Sequence, residues 1–286
     1  MKDKTTPPGS ADALQGHLHH LGLQSVDPVR LAAFYEKAMG MRFEPRGDCF
    51  VGQARERCLV IGPGRNRTLG FAAYELEDPL QLEPLHRRIE RAGCNLLSSP
   101  TDLFHDDAIC VSDPDGNRLV FGRARVSVLS TGAERPARLQ HKVVASRDCA
   151  GLANFYQKVL GFTVTDKVVD GDGKLRTCFL RCGAEHHCFA VFQANESRLD
   201  HHCYEAGEWS LIRDWADHMA AQDIPIVWGP GRHGPGNNLF MFVHDVDGNW
   251  VEISAELERV APGRPVYEWP HAEKTLNLWG QGLLRS

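Results

Sequence analysis

The chain has 286 residues, 42% hydrophobic and 24% charged, an ordinary globular composition with room for one large domain or two of moderate size. A formal net charge of -5 supplies no basic field to hold a phosphate backbone, so no nucleic-acid partner is expected. No run of 18 or more apolar residues occurs, and the opening MKDKTTPPGSADALQG lacks the apolar stretch of a signal peptide, which leaves no membrane anchor to expect. Nine cysteines, odd in number, scattered and without CxxC pairs, fit reduced thiols in a cytoplasm better than a disulfide framework or a zinc ribbon.

Along the chain, residues 1–16 read as a disordered tail. A first domain, 17–128, opens with a short strand, HLGLQS. A helix capped by Asp27 follows, with apolar residues at Leu31, Phe34, Tyr35 and Ala38, and it stops at Gly40. Strands MRFEP, CLVIG and LGFAAYEL come next, then the helix LEPLHRRIERAG and a hairpin turning on Asp115-Gly116. Residues 129–136 fall in the polar, turn-rich stretch RVSVLSTGAERPAR and read as a linker.

A second domain, 137–258, repeats the plan. Strand HKVVAS precedes a helix capped by Ser146 or Asp148, with Leu152, Phe155, Tyr156 and Val159 on its apolar face and Gly161 at its end. Strands FTVTDKVV, LRTCFLRCG, HCFAVFQ and HHCYEA follow, then the helix WSLIRDWADHMAAQD and a hairpin on Asp247-Gly248. Residues 259–286 are left as a C-terminal tail, whose Trp269 and Trp279 suit a role in closing a pocket or packing across a subunit boundary.

The likeness of the halves is a repeat in the strict sense. HLGLQSVDPVRLAAFYEKAMGM (His20 to Met41) and HKVVASRDCAGLANFYQKVLGF (His141 to Phe162) are identical at nine of 22 positions without a gap. DPDGNRLVFG at 113 to 122 likewise matches DVDGNWVEIS at 245 to 254. The offsets, 121 and 132 residues, differ only by loop length.

The order β-α-β-β-β resembles the module of the vicinal oxygen chelate superfamily. With two modules per half, residues 17 to 258 resemble the type I extradiol dioxygenases, such as the catechol 2,3-dioxygenase and dihydroxybiphenyl dioxygenase families. The resemblance implies an α+β, two-domain fold in which paired βαβββ modules form a curved mixed sheet around a cavity. It places the metal in the C-terminal half alone and implies a homo-oligomer.

Three residues in that half could build such a site: His141 on the first strand, His201 on LDHHCYEA and Glu252 on NWVEIS. One inward-facing ligand per strand can converge inside a curved sheet, and two imidazoles with one carboxylate form the facial set of non-haem Fe(II) oxygenases. Taken singly, each is more often structural than ligating; their equivalent strand placement reverses that judgement. In the first half, His20 matches His141, but Phe71 and Val120 stand opposite His201 and Glu252, so that half is read as structural and metal-free. His202 rivals His201, but adjacent strand residues face opposite ways. The family's spacing of 14 residues from the histidine matching His187 selects His201.

By the same resemblance, His187 in HCFAV is the catalytic histidine that handles the diol proton, a task suited to imidazole. His233, in GPGRHG, lies on the substrate side. Phe242 falls where the family usually has a tyrosine, whose hydroxyl it lacks, and Trp228 and Asn237 are placed with it in the substrate pocket. The activity implied is extradiol (meta) cleavage of a catechol-type diol with O2, using Fe(II), with Mn(II) as the alternative metal. A glyoxalase-like metal lyase, and a protein that binds a small aromatic without turnover, remain as alternatives.

Family members that accept a carboxylated side chain read it with arginines, where this chain has Trp228 and Thr275-Leu276. A neutral or apolar ring substituent is therefore expected. Comparable turnover of carboxylated and uncharged catechols would contradict that preference.

Overall fold

A computed structural model describes residues 13–125, 135–261 and 263–284. The repeat is deeper than two copies, because each half divides again. In the first half, β1 (Gly16–Ser25), α1 (Pro28–Met39), β2 (Arg42–Arg46), β3 (Cys49–Ala54) and β4 (Arg57–Pro63) form one module. Its partner is β5 (Thr68–Leu76), α2 (Leu82–Arg91), β6 (Leu96–Leu97), β7 (Ile109–Ser112) and β8 (Arg118–Gly122). The second half supplies β9 (Arg138–Ser146), α3 (Cys149–Phe155), β10 (Thr163–Val169), β11 (Leu175–Arg181) and β12 (Phe189–Gln193). Its other module is β13 (Arg198–Glu205), α4 (Trp209–Ala221), β14 (Trp228–Arg232), β15 (Leu239–His244) and β16 (Trp250–Ala255), after which come β17 (Tyr267–Pro270) and the short α5 (Glu273–Leu276).

Each half is one mixed sheet with the two opening strands paired antiparallel at its centre. The orders are β2-β3-β4-β1-β5-β8-β7-β6 and β14-β15-β16-β13-β9-β12-β11-β10-β17. This is the expected α+β vicinal oxygen chelate arrangement. None of the described helices is long and apolar enough to cross a membrane.

Local chemistry explains the punctuation. Asp27 Oδ1 accepts from Arg30 N, and Asp148 Oδ1 from Gly151 N, so both helices begin on a side-chain cap. Gly40 and Gly161 end them at φ +63° and +85°, a left-handed conformation that a Cβ would strain. In the second half the last turn, Tyr156–Leu160, widens to a π-helix.

One continuous core packs the helices of both halves against the sheets. The opposite faces differ. In the first half that face is filled by Val51, Val60, Phe71, Phe104 and Val120, whereas in the second only Val143, Val168, Phe179 and Ala190 are buried together.

The repeated Phe-Tyr and Asp-x-Asp-Gly-Asn strings clasp the halves. Tyr35 on α1 donates to Asp245 Oδ2 at 2.9 Å and meets His202 Nε2 at 3.0 Å. In the reciprocal contact, Tyr156 donates to Asp113 Oδ2 at 3.2 Å and accepts from Lys142 Nζ at 3.1 Å. Each aspartate also holds its own turn, Oδ1 accepting from the backbone N–H groups two and four residues on. Each repeated motif therefore secures the other half as well as its own.

Two boundaries need correction. The disorder expected for residues 1–16 does not hold for the end of that stretch: Leu14 is buried, its N–H donates to Gly161 O, and Gly16 opens β1. Residues 1–12 and most of the 129–136 linker lie outside the described residues. The stretch 259–286 is not a free tail, since β17 extends the second sheet beside β10 in parallel register and α5 covers the cavity.

Removing the Tyr35 hydroxyl (Tyr35→Phe) is expected to cost about 1–3 kcal/mol in urea unfolding, because buried Asp245 and His202 lose a partner together. Stability should also fall as pH drops below 6.5. Burial, with His201 and His141 nearby, pushes His202 from 6.5 down to about 3, so the unfolded chain takes up a proton that the folded chain refuses. His202→Gln should flatten that dependence between pH 6.5 and about 3.

Candidate metal centre and cavity

β9, β13 and β16 lie side by side, with His141 opposite Cys203 and Cys203 opposite Glu252. His201 stands two residues before Cys203 on the same face of β13, while His202 passes to the other face and meets Tyr35. His141 Nε2 and His201 Nε2 each lie 3.3 Å from Glu252 Oε2, and His233 Nε2 is 3.6 Å from Glu252 Oε1. His141, His201 and Glu252 are all buried.

The outer nitrogens fix what the inner ones carry. His201 Nδ1 contacts Asp200 Oδ1 at 2.7 Å, His141 Nδ1 contacts Gln140 Oε1 and His233 Nδ1 contacts the Leu276 carbonyl, both at 2.5 Å. Those partners accept, so each Nδ1 carries the proton and each Nε2 is left with a lone pair. Three lone pairs therefore face one buried carboxylate, a cluster of repelling groups that a cation or a proton must hold together. This donor set fits a divalent metal, and the outer hydrogen bonds are the kind that orient metal-bound imidazoles.

The titration tendencies follow from the same geometry. Burial alone would raise Glu252, but with no cation at the focus, protons on the facing Nε2 atoms of His141, His201 and His233 hold it well below the usual carboxylate range. Burial pulls His201 down, yet Asp200 and Glu252 outweigh it and its pKa is raised. Burial keeps His141 low despite Glu252.

Cys203 competes for a place in the set. Its Sγ, with one donor atom from His141 and one from Glu252, falls in a group whose members are all within 4.8 Å of one another. The thiol bonds to Ser254 Oγ at 3.2 Å and, chiefly through burial, is held well above its ordinary pKa. It does not reach the cavity wall, whereas His201 does. His201 is therefore favoured over Cys203 as the third donor.

The cavity beside these donors encloses about 770 Å³, counting its open mouth. His187, His233, Trp228 and Phe242 all line it. The His187 ring lies 4.4 Å from that of His141, and burial, then His141 and His186, push its pKa well below the ordinary value. His233 stacks on Phe240 at 3.9 Å. Phe242 stands edge-on to His201 at 5.3 Å and stacks on Trp228 at 5.2 Å.

Asn237 is the exception among the expected pocket residues. It is exposed, holds φ +51° in a turn, and its backbone carbonyl accepts from Arg232, so it does not line the cavity. Its neighbour Asn238 is buried and donates to Glu252 Oε1 at 3.2 Å. The left-handed turn residue carries the chain outward before β15, which reverses the choice between the two.

Several contributors were not foreseen: Asp200 and Gln140 behind the imidazoles, and Asn238. The segment from His271 to Leu284 walls the cavity, the pocket-closing role expected of the C-terminal stretch. That segment is tied down through Thr275 O, Leu276 O and Gln281 O, which accept from Gly234, His233 and Trp228. In the first half, the corresponding place holds His20 between Phe71 and Phe104, with Val120 in the same cluster, and no matching donor set forms among the described residues.

The chain belongs to the Glyoxalase/Bleomycin resistance protein/Dioxygenase superfamily, which it matches over residues 17–121 and 138–253. Among its relatives, metapyrocatechase 2 of Cupriavidus necator is 23% identical over 292 residues, covering 92% of this chain and 88% of that protein. The 3-methylcatechol 2,3-dioxygenase of Pseudomonas putida is 24% identical over 92% and 96% of the two chains. The expected likeness to extradiol dioxygenases is thus found over nearly the whole length.

Homoprotocatechuate 2,3-dioxygenase from Brevibacterium fuscum, in its anaerobic complex with 3,4-dihydroxyphenylacetate, superposes with a TM-score of 0.82 at 23% identity, covering 98% and 93%. A Mn(II)-bound glyoxalase from Novosphingobium aromaticivorans gives 0.83 at 23%, covering 95% and 92%. At these identities both comparisons establish the fold.

His201→Ala should abolish Mn(II) binding measured by calorimetry, whereas Cys203→Ala should retain it; the reverse result would make the thiol the ligand. Affinity should weaken from about pH 8 to about pH 6, because the metal must displace a proton from the raised His201.

Proposed function

We propose that the chain is an Fe(II)-dependent extradiol dioxygenase, cleaving a catechol-type ring beside its hydroxyls with O2. The observation that carries the reading is the convergence of three imidazole lone pairs on one buried carboxylate at the wall of an apolar cavity. His141, His201 and Glu252 would hold the metal, with Mn(II) as the alternative ion. A metal held there would supply Lewis acidity and a path for electrons between a diol and O2.

The remaining work falls to the chain's own groups. His187, kept neutral by its surroundings, accepts the hydroxyl proton of the bound diol and returns it later in the reaction. His233, fixed by the Leu276 carbonyl, bounds the substrate on the opposite flank. Val143, Phe192, Trp228, Phe242 and Leu276 exclude water from the ring.

No lysine or arginine lines the cavity among the described residues, which supports a ring with a neutral or apolar substituent. Phe242 offers a ring face where a hydroxyl would donate. The cytoplasmic setting and the homo-oligomer stay part of this proposal.

A glyoxalase-like lyase is favoured by one observation, the Mn(II) glyoxalase of the same fold. It is opposed by the first half, where Phe71 and Val120 leave no second set of donors.

Iron loaded without air, followed by a catechol panel under O2, tests the reading. O2 uptake with a yellow ring-opened product is expected; a protein that binds a simple diol yet consumes no O2 with any catechol is no dioxygenase. His187→Asn should lower kcat by about 100-fold or more. Phe242→Tyr should raise turnover of catechols if the absent hydroxyl limits the rate, since a hydrogen bond to a charged oxygen is worth about 1.5–3 kcal/mol.

A further inference from the structure

Behind His187 lies a chain of buried polar groups that the proposed reaction does not yet use. His187 Nδ1 is 3.0 Å from His186 Nδ1, and His186 Nε2 is 3.1 Å from Asp166 Oδ2. Asp166 and His186 are fully buried. Asp166 also accepts from Trp269 Nε1 at 2.7 Å on Oδ2 and from Arg264 at 2.8 Å on Oδ1.

We propose that Asp166, acting through His186, is a positioning residue that sets the tautomer of His187 and leaves an unprotonated Nε2 for the cavity. This rests on the reading of His187 as the proton-handling group.

The steps are forced by donor and acceptor count. Asp166 receives two N–H donors and is held at about 2 by His186 and Arg264 in spite of burial, so it is an anion. The contact to His186 Nε2 is close but does not meet hydrogen-bond geometry, so it acts as a charge contact. Even so, a nitrogen lone pair facing that anion would be repelled, whereas an N–H is attracted, so His186 carries its proton on Nε2. Arg264 already balances the aspartate charge, which leaves no need for a doubly protonated His186.

His186 Nδ1 is then an acceptor. Among the described residues its hydrogen-bond partner, at 3.0 Å, is His187 Nδ1, which must donate. His187 is left with a lone pair on Nε2, the form able to take a proton from a diol hydroxyl. The opposite tautomer would present an N–H there and could not act as the base. In the first half, register pairs Leu21 with Leu59 where the second pairs Lys142 with Phe189. Glu56 and Arg57 then stand where His186 and His187 do, so the relay belongs to the metal-bearing half alone.

The test is nitrogen NMR on metal-free protein labelled with 15N-histidine, with His187 assigned from the signal lost in His187→Asn. The wild type should show His187 protonated on Nδ1 and bare on Nε2. In Asp166→Ala, which removes the acceptor facing His186, His187 should lose its preference for the Nδ1 proton. The iron-loaded variant should lose about ten-fold or more in kcat. Its KM should stay within about two-fold. Asp166→Glu, which keeps the carboxylate, should recover part of the rate.

A wild-type His187 bearing its proton on Nε2 overturns the proposal without any variant, as does an Asp166→Ala protein whose His187 is as fully Nδ1-protonated as the wild type. If the wild-type tautomer is as stated but iron-loaded protein consumes no O2, the dioxygenase reading fails and the relay stands.

Discussion

The site is organised by a repulsion. Three imidazoles turn lone pairs toward a carboxylate that is itself buried, and each imidazole is prevented from turning away by a hydrogen bond on its far side. Such an arrangement is costly in an empty protein and becomes favourable when a cation occupies its focus. The sheet, the outer acceptors and the wall formed by the C-terminal segment all serve to keep that focus in place.

The duplicated fold assigns opposite tasks to equivalent faces. Each half presents one sheet face to the helices and one away from them. In the first half the second face is closed by Phe71, Phe104, Val120 and their neighbours, and its one histidine, His20, is trapped among rings where burial keeps it neutral. In the second half smaller side chains and polar donors leave a cavity. The rigid half then supports the open one through the reciprocal Tyr–Asp contacts and the Arg57 guanidinium, which donates to Met39 O, Arg135 O and Ala137 O where the halves meet.

Much of this was legible in the sequence. Caps at Asp27 and Asp148, stops at Gly40 and Gly161 and the two Asp-Gly turns are local signals, written where they act. His141, His201 and Glu252 could be picked out because a strand alternates its faces, so equivalent places in a repeat imply equivalent directions. The same rule separated His201 from His202. Asn237, placed in the pocket, lies in a loop outside any strand, where a left-handed residue turns its side chain outward and no alternation applies. The C-terminal stretch, read as a tail able to close the pocket, also adds a strand to the sheet, and among its described residues backbone carbonyls accept donors on the 228–234 stretch.

The sequence by itself determined the modules, their duplication, the strands that bear His141, His201 and Glu252 and the apolar residues that stand in place of the last two in the first half. Those properties depend on residue type at fixed spacing, which a chain displays before it folds. Only the tertiary structure decided which groups stand behind the imidazoles, that Cys203 shares a row with His141 and Glu252, and that Asp166 lies against His186. Asp166 and His186, and His233 and Leu276, are brought together from distant positions by sheet register and loop path. Asp200 and Gln140 adjoin their imidazoles in sequence but are aimed at them only by the fold. The partner of a buried polar group is set by where the whole fold places the nearest complementary atom, and no local spacing encodes that distance.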